Sequence, residues 1–135
     1  AASGAIVAYQ DSDDIWLPEK LAGQVAALAD PRVVASYCGM IVTGQTDANP
    51  LGPQPAPKLS CWDGYPSGKI TSALLKRNFI STQTLAAKRD ALAAVGHFDL
   101  DFWALEDWEL ALRLAEFGEI VPVPAPLVIQ RFSDN

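Results

Sequence analysis

The chain has 135 residues, half of them hydrophobic, with 16 acidic against 10 basic side chains and a net charge of −6. That length supplies one core rather than two, and a sequence pI near 4.5 with scattered Lys and Arg leaves no footprint for nucleic acid or an anionic membrane. No run approaches the roughly 18 apolar residues of a membrane span, and no basic region leads into a signal-like segment, so small molecules or other proteins are the expected partners.

Ala1-Ala2-Ser3-Gly4 reads as the tail of a helix with its terminating glycine, as in a chain that begins mid-fold. Residues 5–10 are a continuous apolar run before Asp11-Ser12-Asp13-Asp14, which predicts a strand buried on both faces of a parallel or mixed sheet. The carboxylates then fall at its C-terminal end, the edge where open α/β sheets bind ligands. Pro18 and Glu19 mark a helix start, and Leu17, Leu21, Val25 and Leu28 recur with helical spacing until Asp30-Pro31, so these four are expected to pack on the sheet. Residues 33–42, rich in β-branched and apolar side chains, predict the next strand.

Prolines and glycines dissolve the pattern across residues 43–69, a long irregular loop in which Trp62 and Tyr65 either contact a ligand or pin the loop to the body. Cys38 and Cys61 lack the spacing of a zinc site and are expected as reduced thiols, Cys38 in the core. A short helix over 70–77, a strand over 82–87 and a helix over 89–95 closed by Gly96 come next. A polar, aromatic linker over 97–103 leads to a helix over 106–117 ended by Gly118, then to strands over 120–123 and 127–132. Alternating helices and strands in one domain, 1–135, predict an α/β fold.

Asp11-Ser12-Asp13-Asp14 is the least easily explained segment. Two like charges about 4 Å apart cost roughly 4 kcal/mol at an effective dielectric near 20, so such a cluster is solvated, partly protonated or neutralised by a cation. A calcium loop starting at Asp11 would need glycine and glutamate where Trp16 and Ala22 stand. An aspartyl-phosphatase motif is poorly continued by Asp14-Ile15-Trp16-Leu17-Pro18. Two readings stay open: carboxylates that cap the following helix and face water, and a site for Mg²⁺ or Mn²⁺ carrying a phosphorylated ligand. The second acidic group, Glu106-Asp107-Trp108-Glu109, suits a helix N-terminus, and Glu109 can pair with Arg113. Glu106 or Asp107 there is equally a place to hold a general base.

Tyr9-Gln10-Asp11-Ser12-Asp13-Asp14-Ile15-Trp16-Leu17-Pro18-Glu19-Lys20-Leu21 resembles the DxD segment of family 2 glycosyltransferases. Asn78-Phe79-Ile80-Ser81-Thr82, Arg89-Asp90-Ala91-Leu92, Val95-Gly96-His97-Phe98-Asp99 and Glu106-Asp107-Trp108-Glu109-Leu110 are similar to that family's later segments, in order. The resemblance implies a truncated GT-A-like mixed sheet flanked by helices, and inverting transfer of a sugar from a nucleotide-diphosphate donor to an acceptor hydroxyl, on a saccharide or a lipid-linked molecule. It implies that Asp13 and Asp11 hold Mn²⁺ or Mg²⁺, with Asp11 alternatively on the ribose. Asp107 would be the base with Glu106 beside it, Ser81 and Thr82 would line the donor or acceptor pocket, and Arg131 would reach the diphosphate. A cytoplasmic location, peripheral to the inner membrane face for a longer protein, goes with it.

Two departures stand out. The family's first, base-binding half precedes the DxD segment, whereas about ten residues precede Asp11 here, so the fragment alone is expected to be inactive or feeble. His97 stands where similar proteins often carry glycine and reads as a surface residue. A noncatalytic interaction module, retaining half the fold and forming a homodimer through its sheet edge, is the alternative from another class.

Overall fold

The computed structural model describes residues 2–43, 58–59 and 64–131. In chain order these form β1 (Ile6–Ala8), β2 (Ile15–Trp16), α1 (Glu19–Ala27), β3 (Val33–Thr43), β4 (Lys58–Leu59), α2 (Thr71–Leu74), a 3₁₀ turn (Thr82–Thr84), β5 (Ala86–Lys88), α3 (Arg89–Val95), α4 (Glu106–Phe117) and β6 (Glu119–Arg131). Cys61, Trp62, Phe132 and most of the expected long loop lie outside the described residues.

The protein is a mixed α/β fold whose five principal strands curl strongly into half a barrel, accompanied by four helices. Strand order is β1-β5-β3-β6-β2, with β4 pairing off β3. β3 and β6 run parallel, while β1 with β5, β5 with β3 and β2 with β6 are antiparallel. The apolar run before Asp11 is therefore a strand as expected, but a short one at an edge of this path, and Ile6, Val7 and Ala8 are half-buried rather than enclosed on both faces.

Two further expectations change. The expected strands over 120–123 and 127–132 are one strand as far as Arg131, since Pro122, Pro124 and Pro126 do not interrupt β6. The register against β3 shifts between Cys38 and Met40, beside Pro124 and Pro126. Residues 82–84 form a 3₁₀ turn, and only 86–88 pair as a strand.

The larger correction concerns α1. Leu21 and Val25 are 47% and 51% exposed, while Lys20 and Gln24 are fully buried. The helix presses Gly23 against Val123, close enough that a Cβ would sit 3.1 Å from a Val123 methyl. That approach turns the polar side inward, where it is satisfied. Gln24 donates its amide to the Ser36 carbonyl (3.1 Å) and the Thr84 carbonyl (2.8 Å), and Lys20 Nζ donates to Gln24 Oε1 (2.8 Å). Lys20 also lies over the Trp16 ring, 4.1 Å from its centroid, and its burial lowers the ammonium pKa.

The main core gathers Leu74, Ile80, Leu85, Leu92, Leu110, Leu114 and Ile120 around Ala35, Tyr37 and Ala87 of the sheet. Trp108 Nε1 donates to the Leu74 carbonyl at 2.8 Å, tying α4 to α2. Gly118, after α4, lies so near β3 that a Cβ would meet Val34 Cγ1 at 2.3 Å, which excludes any larger residue there. Cys38 is in the core as expected, clustered with Met40, Leu127 and Val128. Tyr65 packs on the main core and against Tyr37, as the pinning reading expects. Among the described residues no helix is long and apolar enough to cross a membrane.

Candidate active site

The chain leaves β1 through Tyr9 and Gln10 and turns sharply across Asp11 to Asp14. Asp14 N–H donates to the Asp11 carbonyl (3.3 Å), and Gln10 Nε2 donates to the Asp14 carbonyl (3.2 Å). Asp11, Ser12 and Asp13 are exposed by this turn. Asp14 is driven inward and is only 6% exposed. Its Oδ1 accepts the backbone N–H of Arg131 at 3.2 Å, while Oδ2 is buried without a hydrogen-bond partner.

Burial pushes the Asp14 carboxyl up from its ordinary value, and repulsion from Asp11 and Asp13 adds to this, against the pull of the Arg131 N–H and the Gln83 side chain. A group whose folded pKa is raised contributes stability below its unfolded pKa and loses it as pH rises through the folded one. Asp14→Asn is therefore expected to stabilise the metal-free protein at pH 7 by about 1 kcal/mol, the cost of a buried unpaired acceptor, with the gain vanishing near pH 3. Thermal unfolding of both proteins across that range checks it.

Asp107 sits in the first turn of α4, beside Glu106 and Glu109. Leu105, at the helix entrance, has φ of +62°, a left-handed conformation costing a non-glycine residue roughly 1–3 kcal/mol. Asp107 Oδ1 accepts from Asn78 Nδ2 (3.2 Å) and from the Trp108 N–H (2.7 Å). Burial raises its pKa, helped by the neighbouring Glu106, and outweighs the hydrogen bonds from Trp108, Asn78 and the Thr82 backbone.

The 3₁₀ turn lies near both carboxylates: the Thr82 backbone lowers the pKa of Asp107, and the side chain of Gln83, the next residue, lowers that of Asp14. Gln24 holds the turn from below through the Thr84 carbonyl. The turn is closed internally by Thr84 Oγ1, which donates to the Ser81 carbonyl (2.8 Å) and accepts the Ser81 N–H (3.2 Å). A second link runs from Tyr9, whose ring meets Phe98 edge-on at 5.3 Å, so the segment leading into α4 rests on the strand leading into the acidic turn.

The expected site residues thus sit on three connected pieces. Asp11 and Asp13 are on the acidic turn, Ser81 and Thr82 on the 3₁₀ turn, and Glu106 and Asp107 on the start of α4. Arg131 joins them at the end of β6 through its backbone N–H. The Ser81 hydroxyl faces Met40 Sδ (3.9 Å) and Thr84 Oγ1 (3.4 Å), the interior of the turn. Gln24 and Gln83 were not among the expected site residues. The available signal was Gln24, a lone glutamine among apolar neighbours, whereas Gln83 stands between two threonines.

Among the described residues no three His, Cys, Asp or Glu side chains gather as a complete metal-ligand set. Mg²⁺ or Mn²⁺ bound with phosphate needs only one or two protein carboxylates, because water and phosphate oxygens fill the other positions. The orphaned Asp14 Oδ2, flanked by exposed Asp11 and Asp13, fits that requirement. No family model matches the chain, and no curated protein matches its sequence at a significant level.

Proposed function

We propose that this chain is the metal- and base-bearing part of a nucleotide-sugar-dependent glycosyltransferase of GT-A type. The observation that carries the reading is the pairing of Asp14 and Asp107. Two carboxylates with raised pKa values, ninety-three positions apart in sequence, lie near consecutive residues, Thr82 and Gln83, of one turn at the C-terminal end of β1. Carboxylates perturbed by burial beside a ligand-binding sheet edge are what general-base chemistry on an anionic donor requires.

In this reading Asp107 accepts the proton of the acceptor hydroxyl while that oxygen attacks the anomeric carbon. The bond to the donor diphosphate breaks with its electron pair on phosphate oxygen, and attack opposite the leaving group inverts the anomeric centre. Glu106 and burial keep the Asp107 carboxylate basic, and Asn78 fixes its orientation. Asp13 and Asp11, with Asp14 beside them, would hold a divalent cation whose Lewis acidity offsets charge on the leaving diphosphate. The Arg131 side chain, exposed at the end of β6, would meet the same phosphates, and Thr82 would line the pocket between.

Calorimetric titration with Mn²⁺, alone and with a UDP- or GDP-sugar, tests the reading. Heat in the parent protein that falls at least tenfold in affinity in Asp13→Ala and Asp14→Ala is expected. Equal heats in all three proteins would remove the acidic turn from the mechanism.

A further inference from the structure

We propose that the loop over residues 98–105 is a saccharide-binding platform, with Trp103 as the face on which a sugar ring of the acceptor stacks. That its ligand is the acceptor rests on the transferase reading; the sugar contact itself does not. Leu100 and Trp103 are each 95% exposed, Leu105 is 58% exposed and Phe102 46% exposed, four large hydrophobic side chains within six residues. A cluster of this kind marks a binding surface more often than an accident of sequence.

The loop is built to display these side chains, because its two ends are fixed. His97 and Leu105 bracket it with φ of +61° and +62°. Arg113 donates to the His97 carbonyl at 2.7 Å and to the Val95 carbonyl. Asp99 closes a local turn by accepting the Asp101 N–H on Oδ1 (3.0 Å) and the Phe102 N–H on its carbonyl (3.2 Å). Beneath the tip lies a cleft of about 460 Å³ lined by Phe98, Asp99, Leu100, Asp101, Glu109 and Arg113.

Charge selects among occupants. Asp99 and Asp101 stand beside the apolar side chains, on a chain of net charge −6. An anionic lipid surface is repelled by them, and a two-fold contact with a second copy brings two patches of the same negative sign together. A neutral saccharide meets neither objection. The C–H face of a pyranose packs on the indole, and its hydroxyls donate to carboxylates, which only accept. Trp103 lies four residues before Asp107, at most about 14 Å along the chain, a distance a short oligosaccharide covers with its terminal hydroxyl at the base.

The test is a titration of the isotope-labelled protein with neutral tetrasaccharides of glucose, N-acetylglucosamine and mannose, following the tryptophan indole N–H signals. At least one sugar is expected to shift the Trp103 signal, with affinity falling tenfold or more in Trp103→Ala, largely recovered in Trp103→Tyr and unchanged in Phe117→Ala, another exposed aromatic. Absence of binding by all three sugars, equal binding by Trp103→Ala, Trp103-dependent binding to phosphatidylglycerol vesicles, or a Trp103-dependent dimer in sedimentation would each overturn the proposal. Failure of the transferase reading is seen separately, as loss of the Mn²⁺ dependence on Asp13 and Asp14 while Trp103 still binds sugar.

Discussion

Asp107→Asn is expected to lower sugar transfer by about 10²- to 10⁴-fold, the usual worth of a positioned general base, when this chain is assayed joined to a nucleotide-binding half. Asparagine keeps the shape, and its carbonyl oxygen can still accept from Asn78 and from the Trp108 N–H, so the fold should survive. What disappears is the positioned carboxylate that takes the proton from the acceptor. The effect should fall on kcat with little change in the KM for donor. The pH profile separates this from a structural loss. Because the Asp107 pKa is raised by burial, parent activity should climb as pH rises through that raised value, since only the carboxylate is a base, whereas the variant's residual activity should lack that limb. Equal pH profiles for the two proteins would take the base role from Asp107.

Leu110→Ala is expected to destabilise the protein by about 2–5 kcal/mol, the range for emptying a well-packed leucine site. Leu110 is completely buried, in the same cluster as Leu74, Leu92, Leu114 and Ile120. It lies one turn along α4 from Asp107, so the cavity would open directly behind the start of the helix. Against the 5–15 kcal/mol that stabilises a typical domain, this is a large fraction. Urea unfolding followed by circular dichroism should show a lower midpoint with an unchanged slope. A loss below about 1 kcal/mol would mean that the helix closes the cavity by shifting, and Asp107 should then move with it.

Much of the framework was legible because the signals were local. Gly96 closes α3 with φ of +94°, Gly118 follows α4, and the β-branched run from Val33 became the longest buried strand. The misreadings share a cause, the preference of close packing over side-chain polarity. Leu17 and Leu28 pack as expected, but Leu21 and Val25 do not, because Gly23 lets the opposite side of α1 approach β6. Lys20 and Gln24 are then carried inside, Gln24 satisfied by the carbonyls of Ser36 and Thr84 and Lys20 by Gln24 Oε1. Likewise two strands were expected over 120–123 and 127–132, whereas one strand accommodates Pro122, Pro124 and Pro126 with a shift of its register against β3.

The candidate site was legible as residue types and illegible as geometry. Asp11, Asp13, Asp107, Thr82 and Arg131 were all marked by the sequence, but Asp14 emerged as the buried member only once Arg131 was seen to bind it from 117 positions away. No local pattern encodes that contact. Nor could spacing reveal that Thr82 and Gln83 lie near both carboxylates, since residues 82–84 form a 3₁₀ turn where a strand over 82–87 was expected. His97, read as a plain surface residue, is exposed and also holds a left-handed backbone conformation, which gives a physical reason for glycine to suit that position.

The central claim is that the acidic turn and the start of α4 face one cleft. Mn²⁺, which broadens nearby nuclear resonances, tests it most directly when titrated into the isotope-labelled protein. The account predicts that the backbone signals of Asp13 and Asp14 broaden first, that those of Thr82, Gln83 and Asp107 broaden with them, and that Asp14→Asn suppresses the whole set. Broadening confined to the acidic turn, or centred on unrelated carboxylates such as Asp30 or Glu116, would contradict it.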